Sequence, residues 1–290
     1  MWSAVSVVIP CLNAGATLGR QLEALCGQQF EGCWEVIVAD NGSTDGSGDV
    51  VARFHGRLPS LRLVDASRKR SACVARNEGV AAAHHNFIAF CDADDEVQPG
   101  WLAALAATGE DCDLVAGTVV VAVPMNSAAG VAGYQAASFP SSSRSGGFLE
   151  TCDSANLGVS RAAFEAVGGF NEDYVVCGDD FDFGYRAQLA GFKLCQAPEA
   201  VVHARLRDSV RSVAKREFRI GLAGPHLYRD FRDRGMPGAS ISSAAAKWAY
   251  LVVTVPSLAL GRQRRVRWVG RASRRAGRLV GCLRYRVFHP

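Results

Sequence analysis

Short apolar runs alternate with helical hydrophobic patterns along the first third of the chain. The runs are short enough for buried strands, and the segments between them place leucines or valines at helical spacing. The predicted strands cover residues 4–10, 34–39, 61–64 and 87–90. The predicted helices cover residues 17–29, 45–54 and 71–84. Strands that alternate with helices form βαβ units, so the pattern predicts an α/β fold with a mostly parallel sheet flanked by helices.

The rest of the chain continues with helices and at least one more strand. The predicted strand covers residues 113–123. The predicted helices cover residues 101–107, 161–167, 180–190 and 211–232, the last interrupted near Gly224-Pro225. Residues 126–147 are rich in Ser, Gly and Ala, which predicts either a mobile loop over a site or an ordinary surface loop.

Polar and acidic residues follow three of the first four predicted strands. The first strand ends in Pro10-Cys11-Leu12-Asn13, the second in Asp40 and Asn41, and the fourth in Asp92-Ala93-Asp94-Asp95. Ligands bind outside the carboxyl ends of the strands in open parallel sheets, so these groups are expected at one edge. Neither a glycine-rich dinucleotide fingerprint nor a Walker A loop is present, which counts against NAD enzymes and P-loop NTPases.

The acidic group after the fourth strand is the strongest candidate for metal binding. Three carboxylates in four residues repel one another unless a cation or strong donors are near, and Mg²⁺ or Mn²⁺ suits oxygen ligands and nucleotide phosphates. Alternatively, Asp94 or Asp95 caps the next helix. Residues 41–46 fit the first half of a calcium loop, but Ala52 stands where a bidentate Glu is required, which excludes calcium.

Four further candidates each have a structural alternative. Asp40 or Asn41 contacts a nucleobase or ribose, and the alternative is a tight turn in which Thr44 or Asp45 caps a helix. The two interpretations are compatible, since different residues serve each. Arg76 either pairs with a diphosphate, orients an Asp or forms a surface ion pair, and spacing alone favours the surface pair. Asp179-Asp180 at a helix start supplies either helix-dipole partners or a general base. His203, after an apolar run, is either structural or a metal ligand.

Composition and charge narrow the class of protein. With 290 residues, 49% of them hydrophobic and 21% charged, the chain is globular, with one large domain or two fused halves. Residues 1–260 carry a net charge of −6, which counts against a nucleic-acid-binding function for this part of the chain. The ten cysteines form no Cys-x-x-Cys pair and the start has no signal-peptide pattern, so reduced cysteines in the cytoplasm are expected.

The last thirty residues contain ten arginines and no Asp or Glu. On a helix over residues 266–287, the side chains of this tail separate into an apolar side and a basic side. The apolar side carries Val269, Ala272, Ala276, Leu279, Val280, Leu283 and Val287. The opposite side carries Arg264, Arg267, Arg271, Arg274, Arg275 and Arg278. The pattern is broken by Arg262, Arg265 and Arg284. A bend in the helix is predicted near Gly270, Gly277 and Gly281.

A basic amphipathic helix with Trp268 near its start is typical of proteins that lie on an anionic membrane surface. The apolar residues 248–260 would enter the same interface, although the run is too short to span a bilayer. Alternatively, this region packs on the acidic body and the arginines are solvated, or it forms a nucleic-acid arm. We favour peripheral binding at the inner face of the cell membrane.

The order of these motifs resembles that of the family 2 glycosyltransferases, which have the GT-A fold. The resemblance covers roughly residues 4 to 230, and the order is more specific than any single motif. In chain order, the matching positions are Pro10 and Asn13, Asp40 and Asn41, Ala75 to Gly79, Asp92-Ala93-Asp94, Gly168 to Glu172, Asp179-Asp180, and His203. The sequence departs from the family pattern at Asn41, Asn171 and Asp179, where many members have Asp, Asp and Glu.

The resemblance implies an inverting transfer of a sugar from a nucleotide diphosphate sugar, with a UDP-sugar favoured, to an acceptor hydroxyl on a glycan or lipid-linked molecule. Asp180 inherits the role of catalytic base and Asp179 lies on the acceptor side. Asp94 and His203 inherit the Mn²⁺ or Mg²⁺ site. The donor contacts inherited from the family are Pro10, Asn13, Asp40, Asn41, Arg76, Asp92 and Ala93.

The resemblance also implies a division of the chain and leaves two rival functions. Residues 1–98 would bind the nucleotide sugar, residues 99–210 the acceptor, and residues 211–290 would form a helical extension. A nucleotidyltransferase of similar fold would usually have a Gly- and Arg/Lys-rich loop after the first strand, which residues 10–15 lack. A non-catalytic glycan- or membrane-binding module would not need Asp94, Asp180 and His203, which are all present.

Overall fold

The structure is a computed structural model that describes residues 2–121, 123–131, 138–140, 143–144, 148–206 and 209–290. The strands are β1 (Ala4–Cys11), β2 (Cys33–Asp40), β3 (Leu61–Asp65), β4 (Phe87–Cys91), β5 (Glu96–Val97), β6 (Leu114–Val120), β7 (Ser138–Pro140), β8 (Ser143–Arg144), β9 (Glu150–Thr151), β10 (Asn156–Ser160) and β11 (Leu194–His203). The helices are α1 (Leu18–Cys26), α2 (Ser47–Ala52), α3 (Ala72–Ala82), α4 (Trp101–Thr108), α5 (Ala128–Val131), α6 (Arg161–Ala166), α7 (Asp179–Leu189), α8 (Val210–Phe231), α9 (Ile241–Val253) and α10 (Arg262–Tyr285).

One large sheet runs in the order β3-β2-β1-β4-β10-β6-β11-β5. β3, β2, β1 and β4 are parallel, whereas β10 is antiparallel to both of its neighbours, β4 and β6. The α/β prediction is confirmed, and the sheet is parallel in its first half and mixed in its second. Because β1, β2 and β4 point the same way, the polar residues that follow them lie at one edge.

The core lies on both faces of the sheet, as strand alternation requires. Val5, Val7 and Ile9 of β1 pack with α1, α2 and α4 on one face. Val8 points to the other face and packs with residues of α3, α6 and α7. This two-residue period is the geometry of a strand that is buried on both sides.

β10 is a central strand that the hydrophobic pattern did not predict. All five of its residues are buried, although it begins with the polar Asn156. That side chain accepts a hydrogen bond from the Trp101 indole and donates to the carbonyls of Thr118 and Ala200. A buried amide with its partners in place is tolerated in a core, and those partners are distant in sequence.

The predicted interruption of the last helical segment of the body near Gly224-Pro225 is wrong. α8 continues through Pro225 to Phe231. Gly281 allows α10 to pack closely on α8 beside Pro225, because a Cβ atom at position 281 would lie 3.0 Å from the proline ring. This contact supports the turn in which proline removes one backbone hydrogen bond.

α9 and α10 form a helical hairpin that packs on α8. The bend predicted at the three glycines of the tail is wrong, since α10 is one helix and these glycines face α8. A Cβ atom at Gly277 would lie 2.0 Å from the Phe218 carbonyl oxygen. Within the described ranges, no helix has both the length and the hydropathy needed to cross a membrane.

The remaining differences concern a loop and the cysteines. Residues 132–137, 141–142 and 145–147 of the predicted loop at 126–147 lie outside the described residues, and the rest includes α5, β7 and β8. The expectation that all cysteines are reduced is wrong for one pair, because Cys112 and Cys195 form a disulfide with Cα atoms 6.0 Å apart. The register of β6 and β11, which places Cys195 beside Val115, brings them together.

Candidate active site

The loops after β1 and β2 are fastened to each other at the edge of the sheet. Asn13 has a left-handed backbone (φ 52°), and its Oδ1 accepts a hydrogen bond of 2.8 Å from the Thr44 amide. The Gly15 amide donates to Asp45 Oδ2 at 2.8 Å, where a Cβ atom on Gly15 would collide with the Asp45 carbonyl. These contacts give the Pro10–Asn13 motif a fixed shape without any ligand.

Asp40 and Asn41, the predicted base contacts, are both engaged with backbone groups. Asp40 Oδ1 accepts from the Ser43 amide at 3.0 Å. The buried Asn41 amide accepts from the Ser71 N–H at 2.7 Å and donates to the carbonyls of Ala66 and Lys69. Asn41 therefore ties the segment after β3 to the end of β2, whereas the hydrogen bond between Asp40 and Ser43 closes a tight turn after β2.

Arg76 joins the acidic segment after β4 to the acidic pair at the start of α7. Its side chain is only 6% exposed, and its guanidinium donates to Asp92 Oδ1 at 3.0 Å and to Asp179 Oδ2 at 3.1 Å. The two carboxylates raise the pKa of Arg76 against the effect of burial. The surface-pair interpretation is therefore wrong, because distant residues converge on Arg76 inside the fold.

The acidic segment after β4 is held from both sides. Gln21 of α1, fully buried, donates to the Asp92 carbonyl and accepts from the Val97 amide. Burial and the charges of Asp92 and Asp94 raise the pKa of Asp95 well above its usual range. The helix-cap alternative for Asp94 and Asp95 is wrong, because α4 begins only after Gly100.

Asp92 and Asp94 place carboxylates at this edge of the sheet, and carboxylate oxygens are the type of ligand that a divalent cation such as Mg²⁺ prefers. Across the described residues, no three His, Cys, Asp or Glu side chains are grouped closely enough to hold a metal ion by themselves. Asp94 lines the cavity that opens at the sheet edge. His203 of β11 lies opposite Glu96 of β5 in the antiparallel register of these strands. Magnesium sites commonly combine one or two carboxylates with substrate phosphates, so this limited donor set is suitable.

Asp180 lies at the start of α7, where three carboxylates influence one another. Burial, Asp179 and Asp153 raise the pKa of Asp180 well above its usual range. Asp153, which follows β9, was missed by sequence reasoning because no motif surrounds it. Burial also raises the pKa of Asp153, and Asp92 and Asp179 add to that effect. A half-buried carboxyl with a raised pKa is a suitable proton acceptor near neutral pH.

The C-terminal helices hold the loop that leads to Asp179 and Asp180. Gly178 has φ 91°, and a Cβ atom there would lie 3.1 Å from the Ala223 Cβ of α8. The Tyr174 hydroxyl donates to Asp230 at 2.8 Å, and its ring stacks on His226 with centroids 3.9 Å apart. The ring of Tyr285 of α10 stacks on the other face of His226, with ring centroids 4.2 Å apart. The helical tail is thus part of the scaffold of the site.

A cavity of about 510 Å³ opens at the sheet edge. The predicted site residues that line it are Pro10, Asn13, Asn41, Arg76, Asp92, Ala93 and Asp94. Asp40, Asp179, Asp180 and His203 are outside the lining, although Arg76 connects Asp179 directly to it. Arg70, Val175 and Arg205 also line the cavity, and the sequence patterns did not single them out.

Comparison with known proteins identifies the family. Residues 6–177 match the family described as "Glycosyl transferase family 2". The chain belongs to this family. The glycosyltransferase AglE of Haloferax volcanii is 28% identical over 75% of this chain and 71% of its own length. The pre-mycofactocin glycosyltransferase of Mycobacterium tuberculosis is 30% identical over 96% of this chain but only 58% of its own length.

Two solved structures have the same fold. The mannosyltransferase PcManGT of Pyrobaculum calidifontis, in complex with GDP-Man and Mn²⁺, superposes with a TM-score of 0.63 at 20% identity, covering 96% of this chain and 86% of its own. TarS 1–349 of S. aureus, in complex with UDP, superposes with a TM-score of 0.53 at 18% identity, covering 99% and 93%. The chain is a glycosyltransferase with the GT-A fold.

Proposed function

We propose that this glycosyltransferase moves a hexose, with inversion, from a nucleotide diphosphate sugar to an acceptor hydroxyl. The observation that carries the proposal is the Arg76 bridge between Asp92 of the cavity wall and Asp179 of the acidic pair. This contact links the cavity to the acidic pair Asp179-Asp180, which supports a reaction between a donor in the cavity and an acceptor beside that pair. UDP and GDP-Man are bound by the two structural neighbours, and we favour a UDP-sugar.

The donor would lie along the edge formed by β1, β2 and β4. Asp40 and Asn41 would stand beside the base, and Pro10 and Asn13 would shape the floor of the cavity. Asp92 and Ala93 would contact the ribose and diphosphate region. Most of these groups are already fixed by hydrogen bonds within the protein, so donor binding would require little ordering of the loops.

Asp180 would accept the proton of the acceptor hydroxyl as its oxygen attacks the anomeric carbon from the face opposite the leaving group. Asp179, held by Arg76, would orient the acceptor on the same side. General base assistance contributes roughly 10²–10⁴-fold to such a reaction. Asp94 and His203 would hold Mn²⁺ or Mg²⁺, which would stabilise the negative charge of the departing diphosphate.

The acceptor would be a glycan or a lipid-linked molecule in the synthesis of a cell-surface polysaccharide. Residues 1–98 would form the half that binds the nucleotide sugar, and residues 99–210 the half that binds the acceptor. Val175, next to the loop of the acidic pair, reaches the cavity from the second half. The two halves therefore approach each other where the sugar would lie.

A panel of nucleotide sugars tests the reaction. We expect one UDP- or GDP-sugar to be hydrolysed slowly, and transferred faster to an acceptor, in the presence of Mn²⁺. Release of pyrophosphate from a nucleoside triphosphate and a sugar phosphate would support a nucleotidyltransferase instead. Nucleotide-sugar binding without turnover under any metal condition would support a non-catalytic module.

We further propose that the protein binds peripherally to the inner face of the cell membrane through its helical hairpin. The exposed apolar residues of this tail surface are Ile241, Trp248, Tyr250, Val252, Val253, Val255, Leu260, Leu279, Val280, Leu283 and Phe288. α10 packs on α8 through its glycines, and Leu279, Val280 and Leu283 of its predicted apolar side are exposed, whereas Val287 is buried. After Asp233 the sequence contains no Asp or Glu, and each arginine near an anionic surface contributes about 1 kcal/mol.

Vesicle flotation at low salt tests this surface without removing α10, on which the active-site scaffold depends. Replacement of Val252 and Val253 with Asp should abolish flotation with phosphatidylglycerol vesicles, because both side chains are largely exposed. Leu63→Asp, at an exposed apolar position of β3, is the matched control and should leave flotation unchanged. A full-length protein that never floats with these vesicles would show that the hairpin is not a membrane anchor.

A further inference from the structure

The segment after β11 places Arg205 on the wall of the donor cavity, which Arg70 and Arg76 also line. The Arg205 amide donates a hydrogen bond of 2.9 Å to Asp95 Oδ1. The next amide, that of Leu206, donates to Asn126 Oδ1 at 2.8 Å. Because Asp95 is buried within the acidic segment, residue 205 is fixed against the same segment that carries Asp94.

The Arg205 side chain has few partners for a guanidinium in this position. Its ionic contact among the described residues is with Glu96, at 3.7 Å, longer than a charge-assisted hydrogen bond. Its Nε is buried without a hydrogen-bond partner in that part of the chain. The whole side chain remains 25% exposed, at the cavity.

The buried cation of the cavity wall, Arg76, is already committed. Arg76 bridges Asp92 and Asp179, so two carboxylates balance its single charge. Asp92 and Asp94 also line the cavity and would repel a diphosphate. An anionic ligand at this wall therefore needs another cation, and the wall offers Arg70, which is exposed, and Arg205, which is anchored against the acidic segment.

We propose that Arg205 binds the diphosphate of the nucleotide donor. The assignment rests on the proposed function and names the residue of that same site which contacts the phosphates. The planar guanidinium can present two N–H groups to phosphate oxygens, a geometry that lysine lacks. Its long contact with Glu96 is weak, so exchanging that contact for a phosphate costs little.

Nucleotide binding measured by calorimetry with Mn²⁺ tests the assignment. UDP and GDP are the probes, and the variants are Arg205→Ala and Arg205→Lys. The matched control is Arg20→Ala, because Arg20 of α1 also pairs with Glu96, at 3.8 Å, but lies outside the cavity lining. Arg20→Ala removes one positive charge and one ionic contact with Glu96, as Arg205→Ala does.

Arg205→Ala should weaken diphosphate binding about tenfold or more, and Arg205→Lys should restore part of the loss. Arg20→Ala should bind like the unmodified protein, and UMP or GMP should lose less affinity than UDP or GDP. If the unmodified protein binds UDP or GDP and Arg205→Ala binds it equally well, the assignment of Arg205 is wrong and the proposed function stands. If the unmodified protein binds neither diphosphate, both are wrong.

Discussion

At the scale of single residues, the proposed function assigns proton transfer and positioning to different members of the acidic pair at the start of α7. Asp179 is held by Arg76, whereas the side-chain carboxylate of Asp180 accepts a hydrogen bond only from the Phe181 amide among its described contacts. Asp180→Asn keeps the shape but removes the proton acceptor, so turnover should fall by roughly 10²–10⁴-fold with donor affinity nearly intact. Steady-state kinetics and nucleotide binding measure the two quantities. Near-normal turnover in Asp180→Asn with a large loss in Asp179→Asn would mean that Asp179 is the base and Asp180 is not.

The environment of Asp180 also predicts the pH dependence of the reaction. Burial, followed by the charges of Asp179 and Asp153, raises the pKa of Asp180. A general base acts in its ionised form, so activity should be present above the raised pKa and lost as the pH falls through it. The acid limb of the kcat profile should therefore lie above pH ~3.9, the ordinary value for Asp. A kcat that stays constant down to about that pH would contradict the assignment of Asp180 as the base.

At the scale of elements, the close packing of α8 and α10 makes glycine necessary at particular positions. A Cβ atom at Gly277 would lie 2.0 Å from the Phe218 carbonyl oxygen, so Gly277→Ala must push the helices apart. Overpacking of this kind costs about 1–3 kcal/mol of the free energy of unfolding. Urea unfolding should show a lower midpoint for this variant.

Gly224→Ala of α8 is the matched control for that helix contact. Its Cβ atom would meet only the end of the Arg278 side chain, at 3.6 Å, which is an ordinary contact. Alanine favours a helix by about 1 kcal/mol over glycine, so this variant should be unchanged or more stable. Equal midpoints for the two variants would mean that the α8–α10 contact does not contribute to stability.

At the scale of the whole molecule, the cavity at the sheet edge is lined by segments that lie far apart in the sequence, from Pro10 to Leu206, around an acidic edge. We expect excess chelator to abolish sugar transfer and added Mn²⁺ to restore it, because the leaving diphosphate needs charge stabilisation beside Asp92 and Asp94. Asp94→Ala should weaken nucleotide-sugar binding in a calorimetric assay. Full transfer activity in excess chelator would rule out the metal assignment.

The local features of the site were readable because they are encoded in neighbouring residues. The strands before Asn13, Asp40 and Asp92 are mainly apolar runs, interrupted only by Ser6 in β1 and Glu35 in β2, and the residues that follow them must share an edge in a parallel sheet. The spacing of Arg76 could not show its role, since its partners are 16 and 103 positions away. Asp153 and Arg205 lie in segments without a motif, so only the folded chain brings them near the site.

The amino-acid sequence by itself determined the α/β architecture, the acidic edge, the family and the presence of a basic C-terminal helix. These features depend on periodicity and on short motifs, which are properties of consecutive residues. Tertiary structure decided that Arg76 is a buried bridge, that β10 enters the middle of the sheet, and that the tail glycines face α8. Each of these depends on contacts between distant segments, where packing space and hydrogen-bond partners select the arrangement and local preference does not.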